Sequence, residues 1–189
     1  MLKVMTAPAS LPDLPAHMRA VAEGDRRAFH ALVQHLHGPG MMVALRVLGD
    51  RAEAEDAVQT AFLKLWRQAR LFDPARGNVQ GWFYRLLVNC CLDRRRMMKP
   101  VVMLDEAIDV ADSAPLPDAL AEQSGRASAV NAAVSALNPR QRAAIALFYG
   151  DGASMAEIAD ILDTTPKAVE GLLARARQVL ADTLMELQA

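Results

Sequence analysis

The chain has 189 residues, 52% of them hydrophobic, and a mean hydropathy of +0.09, so it carries enough apolar material for one or two small packed domains. Its net charge of −1 and pI of about 6.4 exclude a generic polycation. No apolar run is long enough to cross a bilayer, so we expect no membrane insertion. The only cysteines, Cys90 and Cys91, are adjacent and make no disulfide framework, which indicates the reducing cytoplasm.

Charge is distributed unevenly along the chain. Residues 19–99 hold 14 Lys and Arg against 8 Asp and Glu, whereas residues 101–125 hold six acids and no base. The remainder is close to neutral. This pattern predicts a basic domain over residues 16–100, an acidic linker over 101–125 and a second domain over 126–189. Residues 1–15, with three prolines and no signal-peptide core, are expected to form a loose extension.

The apolar spacing of the front half predicts three helical segments before a loop. The first covers residues 16–37, with a possible break at 24–25. The Gly-Pro-Gly sequence at residues 38–40 is expected to interrupt the chain, since proline removes a helical hydrogen bond. A short helix over 41–48 and a clearly amphipathic helix over 51–71 are expected to follow.

A loop over residues 72–80 leads to the helix that organises the chain, residues 81–99. Its predicted inward face is apolar and consists of Trp82, Phe83, Leu86, Leu87 and Cys90. Its predicted outward face is polar and consists of Arg85, Asn89, Asp93 and Arg96. The helix ends in a basic cluster of Arg94, Arg95, Arg96 and Lys99. Positive charge there suits the helix dipole and also suits a nucleic-acid surface, and the pattern alone leaves both interpretations open.

The back half begins with a predicted helix over residues 127–137. Asn138 is placed as an N-cap, with Pro139 at the first position of a helix that continues over residues 140–149. A turn over residues 150–152 is expected after it.

Ser154 and Glu157 then have the spacing of a capping box at the start of a short helix. A turn at residues 163–164 separates it from a last helix, which Thr165 caps and which runs to about residue 187. A short capped helix, a tight turn and a longer helix are typical of a helix-turn-helix, here over residues 154–180. An ordinary helical hairpin has the same pattern.

Two stretches resemble the bacterial sigma factors, in the order in which that family carries them. The similarity to region 2 lies in AEAEDAVQTAFLKLW and, after a loop, GWFYRLLVNCCLDRRR. The similarity to region 4 lies in LNPRQRAAIALFYGDGASMAEIADILDTTPKAVEGLLARARQVL. Nothing resembles region 1.1 or a full region 3, so the chain is similar to the group IV, extracytoplasmic-function (ECF) sigma factors. The resemblance implies an all-α fold of two small helical domains, a region 2 bundle and a region 4 helix-turn-helix, joined by a flexible acidic linker.

The resemblance also implies a function: a transcription initiation factor, not an enzyme and without a cofactor, that binds bacterial core RNA polymerase and promoter DNA. Family members contact the β′ clamp and the β flap of the polymerase. In region 2 the implied polymerase-binding residues are Asp56, Gln59, Phe62, Leu63 and Trp66. The alternative is that Phe62 and Trp66 are core residues, and for Trp66 the two interpretations are equally favoured.

Region 2 of the family also melts the −10 promoter element and captures flipped bases. The implied −10 residues are Lys64, Phe72, Arg85, Asn89, Arg94, Arg95 and Arg96. An amide such as Asn89 donates and accepts at a base edge, Phe72 offers a stacking face, and the arginines hold phosphates.

Region 4 of the family reads the −35 element through its second helix. The implied −35 residues are Thr165, Lys167, Glu170, Gly171, Ala174, Arg175 and Arg177. Glu170 and Leu172 stand where the family often has basic residues, and a glutamate accepts a hydrogen bond from cytosine, so the −35 sequence is left open.

Other interpretations accompany this one. An anti-sigma factor is an expected partner, and the chain could instead be a sigma-like decoy that sequesters such a factor. A plain helix-turn-helix regulator explains only the back half. A metal site at His30, His35 and His37 is less well supported than a solvated helix face, because no Cys or carboxylate lies at ligand spacing. For Cys90 and Cys91, packed thiols are favoured over oxidant sensing.

Overall fold

The computed structural model describes residues 13–98 and 133–186, and within these residues it contains helices and no β-strand. The front half has four α-helices: α1 (Leu14–Ala22), α2 (Arg26–Leu48), α3 (Arg51–Gln68) and α4 (Val79–Met98). The back half has three: α5 (Pro139–Ile145), α6 (Met155–Ile161) and α7 (Pro166–Glu186). Short 3₁₀ turns at Ala69–Leu71 and Pro74–Arg76 lie between α3 and α4, and a π turn, Ala146–Gly150, extends α5. The predicted all-α fold is confirmed.

Side-chain caps define most helix starts, as the sequence indicates. Asp25 and Asp50 accept hydrogen bonds from the first backbone N–H groups of α2 and α3. The predicted caps at Asn138 and Ser154 are confirmed, and each forms a complete capping box with the residue three positions on. These bonds satisfy amides that would otherwise lack a partner at the helix ends. The predicted break near residues 24–25 is also confirmed, because Gly24 has a φ of +95°.

The interruption predicted at residues 38–40 is wrong, since α2 runs without a break through Pro39. The physical reason is the buried stripe of Leu36, Gly40, Val43 and Val47, which keeps the same helical register on both sides of the proline. A proline inside a helix costs about 3 kcal/mol, whereas each large apolar side chain buried on this face contributes about 1.5–3 kcal/mol. The burial of these side chains therefore outweighs the tendency of Pro39 to break the helix.

The predicted extension over residues 1–15 lies almost wholly outside the described residues, as does the predicted linker over 101–125. Most of the predicted helix over 127–137 also lies outside them, although residues 133–135 are helical. Helix α1 begins two residues before the predicted start at Ala16. Within the described residues, no helix combines the length and the apolar character needed to cross a membrane.

The front half is centred on aromatic side chains from three helices. Phe62 of α3 stacks on Phe83 of α4 with ring centroids 4.6 Å apart, and Phe29 of α2 approaches Phe62 edge-on at 6.4 Å. Trp66 meets Phe29 edge-on at 5.1 Å. Such offset and edge-on pairs stabilise the core beyond the area that they bury. The rigid packing of α3 against α4 positions the side chains described below.

Helices α5 and α6 pack onto α2 and α4, so one apolar cluster extends through both halves of the described chain. Helix α4 therefore has a second buried side in addition to its predicted inward face. The buried residues of this second side are Tyr84, Val88 and Cys91. The buried Arg142 of α5 donates to the carbonyl oxygens of Leu137 and Ser135 and, at 3.4 Å, to that of Val47 in α2. These contacts join α5 to the end of α2.

Candidate nucleic-acid interface

Helix α4 presents a polar face to solvent. Arg85, Asn89, Asp93 and Arg96 are all exposed, in agreement with the spacing in the sequence. Three of these residues take part in ion pairs: Arg85 lies 3.1 Å from Asp163 in the turn between α6 and α7, and Arg96 lies 3.5 Å from Asp93 on the same face. Asn89 thus lies on a surface that carries cations one turn before it and two turns after it, a suitable setting for reading a base next to phosphates.

A cleft of about 310 Å³ opens beside this face, between the α3–α4 connection and α6. The rings of Phe72 and Trp82 form one wall, with their centroids 5.7 Å apart in an edge-on arrangement. Arg76, Asn78 and Arg85 line the same cleft. Flat aromatic faces next to cations and amides are the usual components of a site for unstacked bases.

Sequence reasoning found Phe72 and Arg85 but missed three of these lining residues. The sequence pattern places Trp82 on the inward face of α4, and it places Arg76 and Asn78 in the loop before that helix. A usable signal was present, because Asn78, Trp82 and Arg85 are four and three positions apart and so share one side of α4 and its N-terminal end.

Arg94 differs from its predicted place on the DNA surface. Its guanidinium donates to Glu53 at 2.5 Å and to Asp56 at 2.8 Å, and so joins the end of α4 to the start of α3. The side chains of Arg94 and Glu53 are each only 28% exposed. The hydrogen bond to Glu53 is the main cause of a raised pKa at Arg94. These contacts show that Arg94 joins α4 to the start of α3; its contact with −10 DNA stays a prediction.

Two further members of the predicted −10 set are half-buried. Arg95 belongs to α4, and Lys64 belongs to α3. Burial raises the pKa of the Cys90 thiol, and the nearby ammonium of Lys64 opposes that shift. Lys64 is therefore close to Cys90, the residue that follows Asn89. The structure thus brings Lys64 of α3 close to Cys90 of α4, whereas Arg94 contacts the start of α3.

The predicted polymerase-binding set divides into surface and core. Asp56, Gln59 and Leu63 are exposed on one face of α3, and Leu63 is an apolar side chain with 56% of its surface accessible. Phe62 is only 7% exposed and belongs to the aromatic core, so its predicted place on the surface is corrected. Trp66 is half-buried against Phe29, which leaves one part of its ring accessible.

The helix-turn-helix consists of α6, the turn around Asp163 and α7. Asp163 has a φ of +52°, a left-handed conformation that aspartate tolerates better than most residues. Thr165 accepts a hydrogen bond from the backbone N–H of Ala168 and caps α7, as predicted. This cap orders the first turn of α7, next to the residues predicted to face DNA.

The first half of α7 has one solvent-exposed side. The exposed members of the predicted −35 set are Thr165, Lys167, Glu170, Ala174, Arg175 and Arg177. Gly171 is half-buried, and the guanidinium of Arg175 lies over it. Arg177 donates back to the carbonyl of Leu173. Leu172 packs against the core, which explains the absence of a basic residue at that position.

The two halves are joined by a polar contact between the start of α4 and the turn before α6. The buried Tyr84 of α4 donates its hydroxyl to Asp151 at 2.8 Å, and Gln80 donates to the other carboxylate oxygen at 3.0 Å. Burial, and then the hydrogen bond and negative charge of Asp151, raise the pKa of Tyr84. Asp151 therefore connects the turn before α6 to the start of α4.

No group of three His, Cys, Asp or Glu side chains comes close enough to hold a metal ion in the part of the chain that the structure describes. Both cysteines are buried and unpaired there. The chemistry of the described surfaces is that of recognition by cations, amides and aromatic rings.

Comparison with known proteins identifies both halves. The family Sigma-70 region 2 matches residues 32–99, and the family Sigma-70, region 4 matches residues 127–180. ECF RNA polymerase sigma factor SigM of Mycobacterium tuberculosis is 34% identical over 171 residues, which are 88% of this chain and 82% of SigM. ECF RNA polymerase sigma factor SigW of Bacillus subtilis is 29% identical over 181 residues, which are 90% of this chain and 96% of SigW.

Solved structures agree on the fold. CnrH, in complex with the cytosolic domain of CnrY, superposes with a TM-score of 0.66 at 27% identity, covering 90% of this chain and 96% of CnrH. The sigma factor RpoE of Bartonella quintana, in complex with the anti-sigma factor NepR, has a TM-score of 0.60 at 23% identity, covering 83% of this chain and 96% of RpoE. With both sigma regions in order and an ECF relative above 30% identity over most of both chains, this protein belongs to the ECF sigma factors of the sigma-70 family, the transcription initiation factors that direct RNA polymerase to promoters.

Proposed function

We propose that the α4 face and its aromatic cleft capture the melted −10 element, while the exposed side of α7 reads the −35 element. The observation that carries the proposal is Asn89, exposed between Arg85 and Arg96 on α4, one turn after Arg85, which lines the cleft walled by Phe72 and Trp82. A flipped base needs a flat surface and an edge that both donates and accepts hydrogen bonds, and phosphates need cations. The division into domains over residues 16–100 and 126–189, with a linker over 101–125, is part of this proposal.

The exposed face of α3 is the proposed docking surface for the polymerase β′ clamp. Leu63 is a large apolar side chain exposed between polar neighbours, and Gln59 lies one turn before it. Asp56, held by Arg94, adds a carboxylate of defined orientation. An apolar residue surrounded by hydrogen-bonding groups is a usual arrangement for a protein interface. We place the β flap contact on the helix-turn-helix half, and the whole activity in the cytoplasm with the polymerase.

Control by an anti-sigma factor is also proposed. It is supported by the CnrH structure, in which this relative at 27% identity is bound to the cytosolic domain of CnrY. The test is whether a protein that co-purifies with the full chain suppresses transcription reconstituted from core polymerase and this protein. A co-purifying protein that leaves transcript yield unchanged would contradict the proposal.

The test of the DNA assignment is reconstitution with core polymerase that lacks other sigma factors, followed by sequencing of the RNAs started on genomic DNA of the source organism. Discrete starts that share a two-part upstream motif are expected. On such a promoter, Asn89→Ala should keep polymerase binding and the duplex complex but lose permanganate-reactive, melted DNA at the −10 element, because the base edge loses its amide partner.

Gln178→Ala is the matched control, because Gln178 is an exposed amide outside all three predicted sets and bonds only to Asp182 among the contacts found. It should melt the promoter like the unaltered protein. Equal melting by Asn89→Ala and Gln178→Ala would contradict the role of Asn89. Absence of polymerase binding by the unaltered chain would contradict the docking proposal and favour a decoy.

A further inference from the structure

A group of exposed arginines lies where α1, α2 and the end of α3 meet. A short turn joins the end of α1 at Ala22 to the start of α2 at Arg26. The end of α3 is fixed against this turn, because Arg70 donates to the carbonyl oxygen of Ala22 at 3.0 Å and Trp66 meets Phe29 edge-on. We call this surface the arginine corner, and its exposed members are Arg19, Arg26, Arg27, Arg67 and Arg70.

The positive charge of the arginine corner is not neutralised within the described part of the chain. None of the five guanidinium groups takes part in an ion pair there, and the only side-chain hydrogen bond is that of Arg70 to a neutral carbonyl. The turn between α1 and α2 contains two carboxylates, Glu23 and Asp25. Asp25 already accepts the backbone N–H groups of Arg27 and Ala28 as the cap of α2. The corner therefore presents a net positive charge to solvent.

Two of these arginines are at the unfavourable end of a helix. Arg26 and Arg27 occupy the first turn of α2, which contains no acidic residue. A helix N-terminus carries partial positive charge, so cations there weaken the helix. Arg51 is the first residue of α3, but it is paired with Glu55 at 2.9 Å. Cations that oppose the helix dipole and have no partner among the described residues indicate an external anion.

The arginine corner adjoins the cleft walled by Phe72 and Trp82. The 3₁₀ turn that ends α3 continues from Arg70 into Leu71 and Phe72, and both of these residues line the cleft. Asn89 lies on the other side of the cleft, further along α4. A DNA strand that passes Asn89 and enters the cleft therefore meets the corner where it leaves the α3–α4 connection.

We infer that the arginine corner binds the phosphates of the single-stranded DNA that continues downstream from the −10 element. The inference rests on the proposed −10 role of the α4 face and its cleft. The promoter stays double-stranded upstream of the melted element, whereas the melted strand continues towards the start site, so the surface beyond the cleft meets unpaired DNA. Arginines that contact phosphates add affinity and carry no sequence information directly. The corner thus stabilises melted DNA of any downstream sequence.

The test is binding of two fork-junction DNAs to the holoenzyme formed from core polymerase and the full chain. Both DNAs carry the promoter found by reconstitution, double-stranded upstream of the −10 element. Both have the non-template strand as a single-stranded tail, because the other strand serves as the template. The short tail ends with the −10 element, and the long tail continues for about 8 nucleotides beyond it, a usual length for a strand on one protein surface.

Arg26→Gln and Arg51→Gln form a matched pair, because each removes one charge from the exposed first residue of a helix. Arg67→Gln tests the same corner from α3. With the long tail, Arg26→Gln and Arg67→Gln should each weaken binding and reduce the slope of log affinity against log salt by about 0.7, and the double variant should lose about 1.4. With the short tail these variants should bind like the unaltered protein, and Arg51→Gln should do so with both tails.

Unchanged affinity and salt slope on the long tail would overturn the inference. An equal loss on both tails would also overturn it, because the corner would then contact upstream duplex or the polymerase instead of the downstream strand. Thermal denaturation followed by circular dichroism checks that the variants are folded. The melting temperature of Arg26→Gln should not fall, since the charge that it removes opposes the dipole of α2.

Asn89→Ala separates this inference from the proposed function. Both tails contain the −10 element, so this variant should weaken binding to both. If Asn89→Ala binds both tails normally while the corner variants lose only the long tail, the proposed role of Asn89 fails and the arginine corner stands. If Asn89→Ala weakens both and the corner variants weaken neither, the inference is overturned and the −10 proposal stands.

Discussion

Arg94→Ala is the substitution that most sharply separates a structural from a DNA-binding arginine in the cluster at the end of α4. Charge-assisted hydrogen bonds contribute about 1.5–3 kcal/mol when shielded, and exposed ion pairs about 0.2–1 kcal/mol. The bond to Glu53 joins two side chains that are each 28% exposed, so we assign it about 1 kcal/mol. Asp56 is 59% exposed, so its bond adds about 0.5 kcal/mol.

The free energy of unfolding should therefore fall by about 1.5 kcal/mol, which for a chain of this size lowers the melting temperature by about 3–6 °C. Arg96→Ala is the matched control, because Arg96 is more exposed and pairs only at 3.5 Å with Asp93. Its unfolding free energy should change by less than about 0.5 kcal/mol. Thermal denaturation followed by circular dichroism measures both.

In DNA binding the order of the two effects should be reversed, so that Arg96→Ala weakens binding more than Arg94→Ala does. Loss of a phosphate contact reduces the slope of log affinity against log salt by about 1, and this is expected for Arg96→Ala and not for Arg94→Ala. A double-mutant cycle of Arg94→Ala with Glu53→Ala should give a coupling energy of about 1 kcal/mol. Equal melting temperatures for the two arginine variants, or a coupling below about 0.3 kcal/mol, would refute the reasoning.

Gly40→Ala should lower the free energy of unfolding, measured in urea, by about 1–2 kcal/mol, because a Cβ there would lie 2.8 Å from Phe83 and the cost of overpacking exceeds the gain in helix propensity. Gly38→Ala is the control: a Cβ there would have nothing within 4 Å, so the free energy of unfolding should rise. Burial raises the pKa of Cys91 to about 12, so a thiol reagent should label it at about pH 8 only when the protein unfolds. The contribution of this raised pKa to the free energy of unfolding should be lost as the pH rises above about 9. Leu63→Asp should weaken core-polymerase binding at least about tenfold without changing helicity; unchanged affinity would contradict the docking surface.

Much of the candidate site could be predicted from local pattern. The spacing of Arg85, Asn89 and Arg96 places them on one exposed face of α4, because a helix repeats every 3.6 residues whatever surrounds it. The caps at Asn138 and Ser154 are equally local, since a cap bonds to amides two or three positions away. The family resemblance then predicted which face binds DNA and which binds the polymerase.

Contacts between distant segments could not be predicted in this way. Helical spacing places Arg94 away from the face that carries Arg96, but it does not show what Arg94 binds; only the approach of Glu53 from α3 decides that. Trp82 has the spacing of a core residue, and it lines the cleft because the loop before α4 brings Phe72 against it. A periodic pattern states which side of a helix is apolar but not which element covers that side.

The sequence by itself determined most of the helices, their caps and the polar face of α4, because each depends on residues within a turn or two of one another, and the family resemblance supplied the order of the two sigma regions. The tertiary structure decided that α2 passes through Pro39, that Phe62 is core, and that Tyr84 meets Asp151 across the two halves. Tyr84 and Asp151 lie 67 positions apart, and no local spacing encodes a contact of that separation. The packing of the helix-turn-helix against α4 depends on the joint burial of side chains from both halves, which exists only once the chain has folded.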